Sequence, residues 1–142
     1  MLTTRHVQRR ALTNYYATLS DRANVLTIYG IKSCDTCRRA RKYLDAHNIE
    51  FRFHDLRDDG LDIQMLERWS KRMGWERLLN KQSLTWRKVP EVDRADMSKD
   101  KAMATMIDNP TLIKRPILEA DKFIAVGFSE KRFGDFLNSA DI

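Results

Sequence analysis

Cys34 and Cys37 are the two cysteines of the 142-residue chain, and they stand in the run Ser33-Cys34-Asp35-Thr36-Cys37. Two thiols at this spacing can exchange with a disulfide, one attacking and the other resolving. If the pair opens a helix, Cys34 meets unpaired backbone N–H groups and the positive end of the helix dipole. Both favour the thiolate, which is the nucleophilic form. Cys37 then falls one turn further on, on the apolar face, where it is more buried. The other uses of such a pair fit less well. Haem attachment needs a histidine directly after the second cysteine, and Arg38 is there instead. Zinc would need two more ligands, and His47 and His54 lack the usual finger spacing, so no metal is expected. Inert core cysteines remain an alternative, set against the exposed position expected of Cys34.

The elements that must position this pair follow from the hydrophobic pattern. Residues 25–29 are apolar and rich in strand formers, and Gly30 ends them, which predicts a buried first strand. Residues 35–47 carry Cys37, Ala40, Tyr43, Leu44 and His47 on one helical face. Phe51 and Phe53 alternate with Arg52 and His54, predicting a second strand, parallel to the first, that ends at the Asp58-Asp59-Gly60 turn. Ile63, Leu66, Trp69, Ser70 and Met73 share a helical face that Gly74 stops. Residues 75–80 suggest another turn, and residues 83–89 read as irregular. Residues 93–97 and 99–108 read as helical, the second with Met103, Met106 and Ile107 inward. Residues 117–118 and 123–126 predict a hairpin. Ser129 caps a last helix bearing Phe133, Phe136 and Leu137. The order is β-α-β, a helical block, then β-β-α: an α/β chain with the thioredoxin-like arrangement and a helical insertion between its halves.

Composition bounds the rest. Hydrophobic residues make up 42% and charged residues 32%, as in a soluble globular protein. No apolar run reaches the roughly 20 residues of a membrane-spanning helix, so a membrane is not an expected partner. The net charge is +6, and residues 1–25 hold Arg5, Arg9, Arg10 and Arg22 against Asp21 alone. What remains for residues 26–142 is too mild, and lacks the basic and aromatic stripe, to predict direct nucleic-acid binding. Residues 1–25 have Leu12, Tyr15, Tyr16 and Leu19 at helical spacing but no secretory core. They read as an extension without chemistry: a short helix, an organelle-targeting peptide, or an upstream misreading of the start. The expected compartment is the cytoplasm.

Beside the cysteines, Lys32 and Arg38 are placed to support a thiolate or an anionic substrate. Arg39, Arg41 and Lys42 read as a solvated basic helix face, His54 as structural, and Trp69, Trp75 and Trp86 as packing. A second signal is Ile113-Lys114-Arg115-Pro116-Ile117, which opens the hairpin. In a thioredoxin-like fold this corner faces the first helix, and a proline there is often cis and leaves the backbone before it free to meet a bound thiol compound; a proline that merely opens an edge strand is the alternative. Lys32, Arg38, Lys114 and Pro116 are therefore the candidate substrate-binding residues.

The run from Leu26 to Arg41, LTIYGIKSCDTCRRAR, resembles the start of the ArsC/Spx family. So do Gly74-Trp75, Leu78-Leu79-Asn80, Ile113-Lys114-Arg115-Pro116 and Val126-Gly127-Phe128. The likeness covers about residues 26–138 and lies nearest the YffB-like branch, of arsenate reductase-like proteins. It implies a thioredoxin-like domain with Cys34 as the catalytic cysteine, Cys37 as the resolving thiol, and Arg115 as an oxyanion-binding arginine before a cis Pro116. Arsenate-reducing members use two more arginines, and Asn80 and Gly127 stand at those positions, so arsenate reduction is the least favoured activity. The activity implied first is a bacterial thiol–disulfide oxidoreductase with a redox-active CxxC. It needs no bound cofactor and takes glutathione as co-substrate, or glutaredoxin as partner. The alternative is a Spx-type redox-sensing regulator that binds RNA polymerase, through its alpha subunit.

Overall fold

The computed structural model describes residues 25–139, with side chains through residue 135. The readings made of residues 1–24, and of the Phe136 and Leu137 side chains, lie outside the described set. Strand β1 (Leu26–Gly30) alternates its side chains between two faces. Leu26 and Ile28 point to one core, and Tyr29 packs into another on the opposite face. Helix α1 (Asp35–Ala46) buries Cys37, Ala40 and Leu44 at i, i+3 and i+7. Strand β2 (Phe51–Asp55) then returns parallel to β1, with Ile28 opposite Phe53 and Gly30 opposite Asp55.

A helical block follows: α2 (Ile63–Met73), α3 (Trp75–Leu78), α4 (Leu84–Lys88), α5 (Glu91–Ala95) and α6 (Lys99–Asp108), closed by a 3-10 turn at Pro110–Leu112. Residues 83–89, expected to be irregular, instead hold α4 with its two caps. The reason is local: the Ser83 hydroxyl accepts the Trp86 N–H and caps the helix, which buries Trp86. The helix expected over 93–97 lies two residues earlier, starting directly after Pro90. Trp69 is fully buried, and with Leu66, Leu78, Met103, Met106 and Ile113 it forms the larger core under this block.

Strands β3 (Ile117–Ala120) and β4 (Phe123–Val126) complete a sheet of order β2-β1-β3-β4, β3 antiparallel to both β1 and β4. The register keeps the faces apart: Ile117 opposes Tyr29 over the larger core, and Leu118 opposes Ile28 over the smaller one. Helix α7 (Glu130–Ser139) covers the smaller core with Phe133, and Ser129 caps it through the Arg132 N–H. The order expected from the sequence is thus the observed one. The helical block is stitched to the hairpin entrance by a β-bridge between Leu79 and Ile113. Asn80 N–H donates to the Leu112 carbonyl at 2.8 Å, and Lys114 N–H to the Leu78 carbonyl at 2.8 Å. These bonds bring residues 113–116, distant in sequence, to the end of the sheet where α1 begins.

Candidate functional site

Cys34 is the N-cap of α1, with extended backbone (φ −76°, ψ 123°). Its N–H donates to the Ile31 carbonyl at 3.0 Å, and its carbonyl accepts the Arg38 N–H at 3.0 Å. Residues Ile31 to Cys34 therefore form a tight turn that delivers the sulfur to the open end of the helix. The thiol closes no full capping hydrogen bond, but it is half-buried and its pKa is lowered. Burial pushes it up. That is outweighed by the N–H and side chain of Cys37 and by the hydrogen bonding and charge of the Arg115 guanidinium.

Cys37 is the opposite case. It is fully buried, and burial pushes its thiol up to about 12, with the Cys34 charge adding to the rise and the Ile31 N–H opposing it. Space for its sulfur comes from β1: a Cβ on Gly30 would stand 2.5 Å from the Cys37 Sγ. One helical turn thus holds two thiols of sharply different acidity.

Arg115 is held by its own neighbourhood. One terminal nitrogen donates to the carbonyls of Thr111 at 2.9 Å, Ile113 at 3.0 Å and Pro110 at 3.4 Å. That nitrogen is committed to the carbonyls of this turn, the guanidinium also bears on the Cys34 sulfur through hydrogen bonding and charge, and its buried Nε has no hydrogen-bond partner. The Arg115–Pro116 peptide bond is cis. Arg115→Ala removes two influences that favour the Cys34 thiolate, so the Cys34 pKa is expected to rise and alkylation near neutral pH to slow. A pH profile of iodoacetamide reactivity checks this, and an unchanged profile removes Arg115 from the site.

The remaining candidates are dispersed. Arg38 is exposed and paired with Asp35. Lys32 is exposed, and its Nζ pairs with Asp58 at 3.1 Å. Lys114 is exposed, while Pro116 is buried and its carbonyl accepts the Gly127 N–H at 2.8 Å. The solvated face expected of Arg39, Arg41 and Lys42 fails at Arg41. Its guanidinium lies over the Phe53 ring, 4.4 Å from the centroid, and donates to the Lys32 carbonyl at 3.4 Å. An aromatic ring on the neighbouring strand gives that long side chain an apolar surface to lie on. His54 is structural as expected, with Nε2 2.7 Å from the Gly60 carbonyl. Trp69 and Trp86 are core residues, and Trp75 packs against the same core.

Two positions argue about oxyanions. Asn80 accepts the Gln82 N–H with its side-chain oxygen. Gly127 has φ +81°, a backbone conformation that a side-chain-bearing residue adopts only under strain. Neither position supplies a cation. Among the described residues there is no cluster of three His, Cys, Asp or Glu able to hold a metal ion. Among them too, no helix is long and apolar enough to cross a membrane.

A four-stranded mixed sheet with a CxxC pair at the start of the helix after β1, and a cis-proline corner beside it, defines a thioredoxin-like protein. The ArsC family model matches residues 29–136, and the chain belongs to the ArsC family. An uncharacterised protein of Haemophilus influenzae is 45% identical over 109 residues, covering 77% of this chain and 96% of that one. The global transcriptional regulator Spx of Lactiplantibacillus plantarum is 28% identical over 115 residues, covering 80% and 86%. Among solved structures, a YFFB protein superposes with a TM-score of 0.73 at 39% identity, over 78% of this chain and 97% of its own. An arsenate reductase-related protein from Brucella melitensis gives 0.69 at 41% identity, over 80% and 94%.

Proposed function

We propose that the protein is a thiol–disulfide oxidoreductase in which Cys34 attacks and Cys37 resolves. The observation that carries this reading is the contrast within one helical turn: a half-buried Cys34 with lowered pKa above a fully buried Cys37 raised to about 12. The Cys34 thiolate attacks one sulfur of a substrate disulfide, forms a mixed disulfide and expels the other half as a thiolate. Cys37 then attacks the Cys34 sulfur and passes its proton to the departing thiolate. The substrate gains two electrons, and the protein is left with a Cys34–Cys37 disulfide. Two molecules of glutathione return it to the dithiol and leave as oxidised glutathione; glutaredoxin could serve the same step. Arg115 holds the Cys34 charge between turnovers.

Arg38 and Lys114 carry exposed positive charge near the site, suited to the carboxylates of glutathione. The missing cations at Asn80 and Gly127 weigh against arsenate as substrate. The test is reduction of a small organic disulfide by glutathione, coupled to NADPH through glutathione reductase. Turnover that disappears in Cys34→Ser supports the reading; no turnover above the uncatalysed rate overturns it. A second reading rests on the Spx relatives: the pair would act as a switch controlling contact with RNA polymerase. Recovery of polymerase subunits from a bacterial lysate, dependent on the oxidation state of the pair, would favour it.

A further inference from the structure

Asp55, at the end of β2, is buried. A carboxylate taken out of water needs hydrogen bonds to offset the loss of hydration. It has three, divided between its two oxygens. Oδ1 accepts the N–H groups of Arg57 at 2.8 Å and Asp58 at 2.9 Å, which shapes its own turn. Oδ2 reaches across the sheet end to the Lys32 N–H at 2.9 Å, 23 residues away in sequence. Burial alone would raise the carboxyl pKa. The N–H groups of Asp58, Lys32 and Arg57, with the Lys32 charge, hold it below the ordinary carboxylate value, so it is ionised at neutral pH.

The Lys32 peptide is also gripped from its other end. Arg41 donates to the Lys32 carbonyl at 3.4 Å, a longer contact, while resting on Phe53. The Lys32 side chain closes on Asp58, in the turn that Asp55 organises. Lys32 is a central residue of the Ile31–Cys34 turn. The Ile31 N–H of this turn bears on the Cys37 sulfur, and its last residue is Cys34 itself.

We propose that Asp55 is a positioning residue for Cys34, acting through the Lys32 peptide with Arg41 as the opposing half of the clamp. The inference rests on the thiol–disulfide reading above and adds to it the device that sets the nucleophile. Fixing Lys32 fixes the turn, and the turn holds the Cys34 sulfur where the Cys37 N–H and Arg115 stabilise its charge. Lys32 is then a strut in the site and not a substrate ligand.

Asp55→Asn separates the clamp from the rest. The remaining carbonyl oxygen can keep Arg57 and Asp58, but the new amide sets donor against donor at Lys32. The experiment is the pH dependence of iodoacetamide alkylation of the reduced protein, for native, Asp55→Asn and Arg41→Met, with folding followed by circular dichroism. Cys37 and Arg115 are the titratable and charged groups that face Cys34, and both are unaltered in these variants. The native midpoint is expected below the free-thiol value of about 8.5. Asp55→Asn should move it up by about one unit, and Arg41→Met should move it the same way by less. Loss of a nearby negative charge alone would lower the midpoint. A lowered or unchanged midpoint in folded Asp55→Asn therefore overturns the clamp. If Asp55→Asn does not fold, an unchanged midpoint in Arg41→Met overturns it. A native midpoint at or above about 8.5 would instead overturn the reading of Cys34 as an activated nucleophile, whatever the variants do.

Discussion

Cys34→Ser will take up no glutathione from oxidised glutathione, whereas Cys37→Ser will accumulate one glutathione per chain and keep it. The first result follows from where the second thiol sits. Cys37 is fully buried, and burial pushes its thiol up to about 12, so very little of it is ionised at pH 7. Removing Cys34 also removes a charge that raises that pKa, but burial, the largest cause, remains. The serine variant therefore has no usable thiolate. The second result follows from the roles. In Cys37→Ser the Cys34 thiolate still attacks, and the mixed disulfide has no neighbouring thiol to resolve it. The Cys37 side chain also hydrogen-bonds the Cys34 sulfur, and the serine hydroxyl keeps a donor at that place, so the attacking thiolate survives in this variant. Intact mass over time reads both outcomes. Glutathionylation of Cys34→Ser at the native rate would contradict the assignment. Full multiple turnover by Cys37→Ser would show that Cys34 works with a second glutathione and needs no resolving thiol.

Gly30→Ala should be the most damaging small substitution in the site. The added methyl would lie 2.5 Å from the Cys37 Sγ and 3.3 Å from its Cβ, with Phe53 at 3.5 Å behind. A cysteine side chain has one torsion and is enclosed here, so the clash must be relieved by moving α1 against β1. Overpacking of this kind costs about 1–3 kcal/mol, equivalent to a fall in Tm of roughly 4 °C per kcal/mol. Cys37→Ala removes the sulfur that the methyl would strike, so Gly30→Ala should cost much less in that background. A double-mutant cycle in thermal unfolding measures the coupling. Additive losses would show that Gly30 is present for a reason other than the sulfur.

Much of this was readable in the amino-acid order, and the parts that were not share a cause. Strands, the α1 face and the last cap are short-range patterns, so period and capping residues identify them. The CxxC pair announces itself by spacing, and the expected difference between its thiols follows from the helix start at Cys34 and the periodicity that turns Cys37 inward. Arg115 was found only through the family likeness, because its approach to Cys34 depends on the Leu79–Ile113 bridge that brings the hairpin entrance across the fold. Asp55 was missed. The run Asp55-Leu56-Arg57-Asp58 does carry a signal for an aspartate that caps its own turn, but the bond to Lys32 joins residues 23 apart. Arg41 was misread because a basic residue on an amphipathic helix is usually solvated, and nothing local shows that Phe53 lies beneath it. Gly30 looked like a strand terminator, and only the packed fold shows the sulfur that requires it.

The central claim is that one helical turn separates two thiols by acidity, with Cys34 the one that ionises. Its most direct measurement is the ultraviolet absorbance of thiolate through a pH titration of the reduced native protein and of Cys34→Ser. One thiolate is expected to form below about 8.5 and a second only at strongly alkaline pH, with the first step absent from Cys34→Ser. Two thiols titrating together near the free value, or an early step that survives in Cys34→Ser, would contradict it.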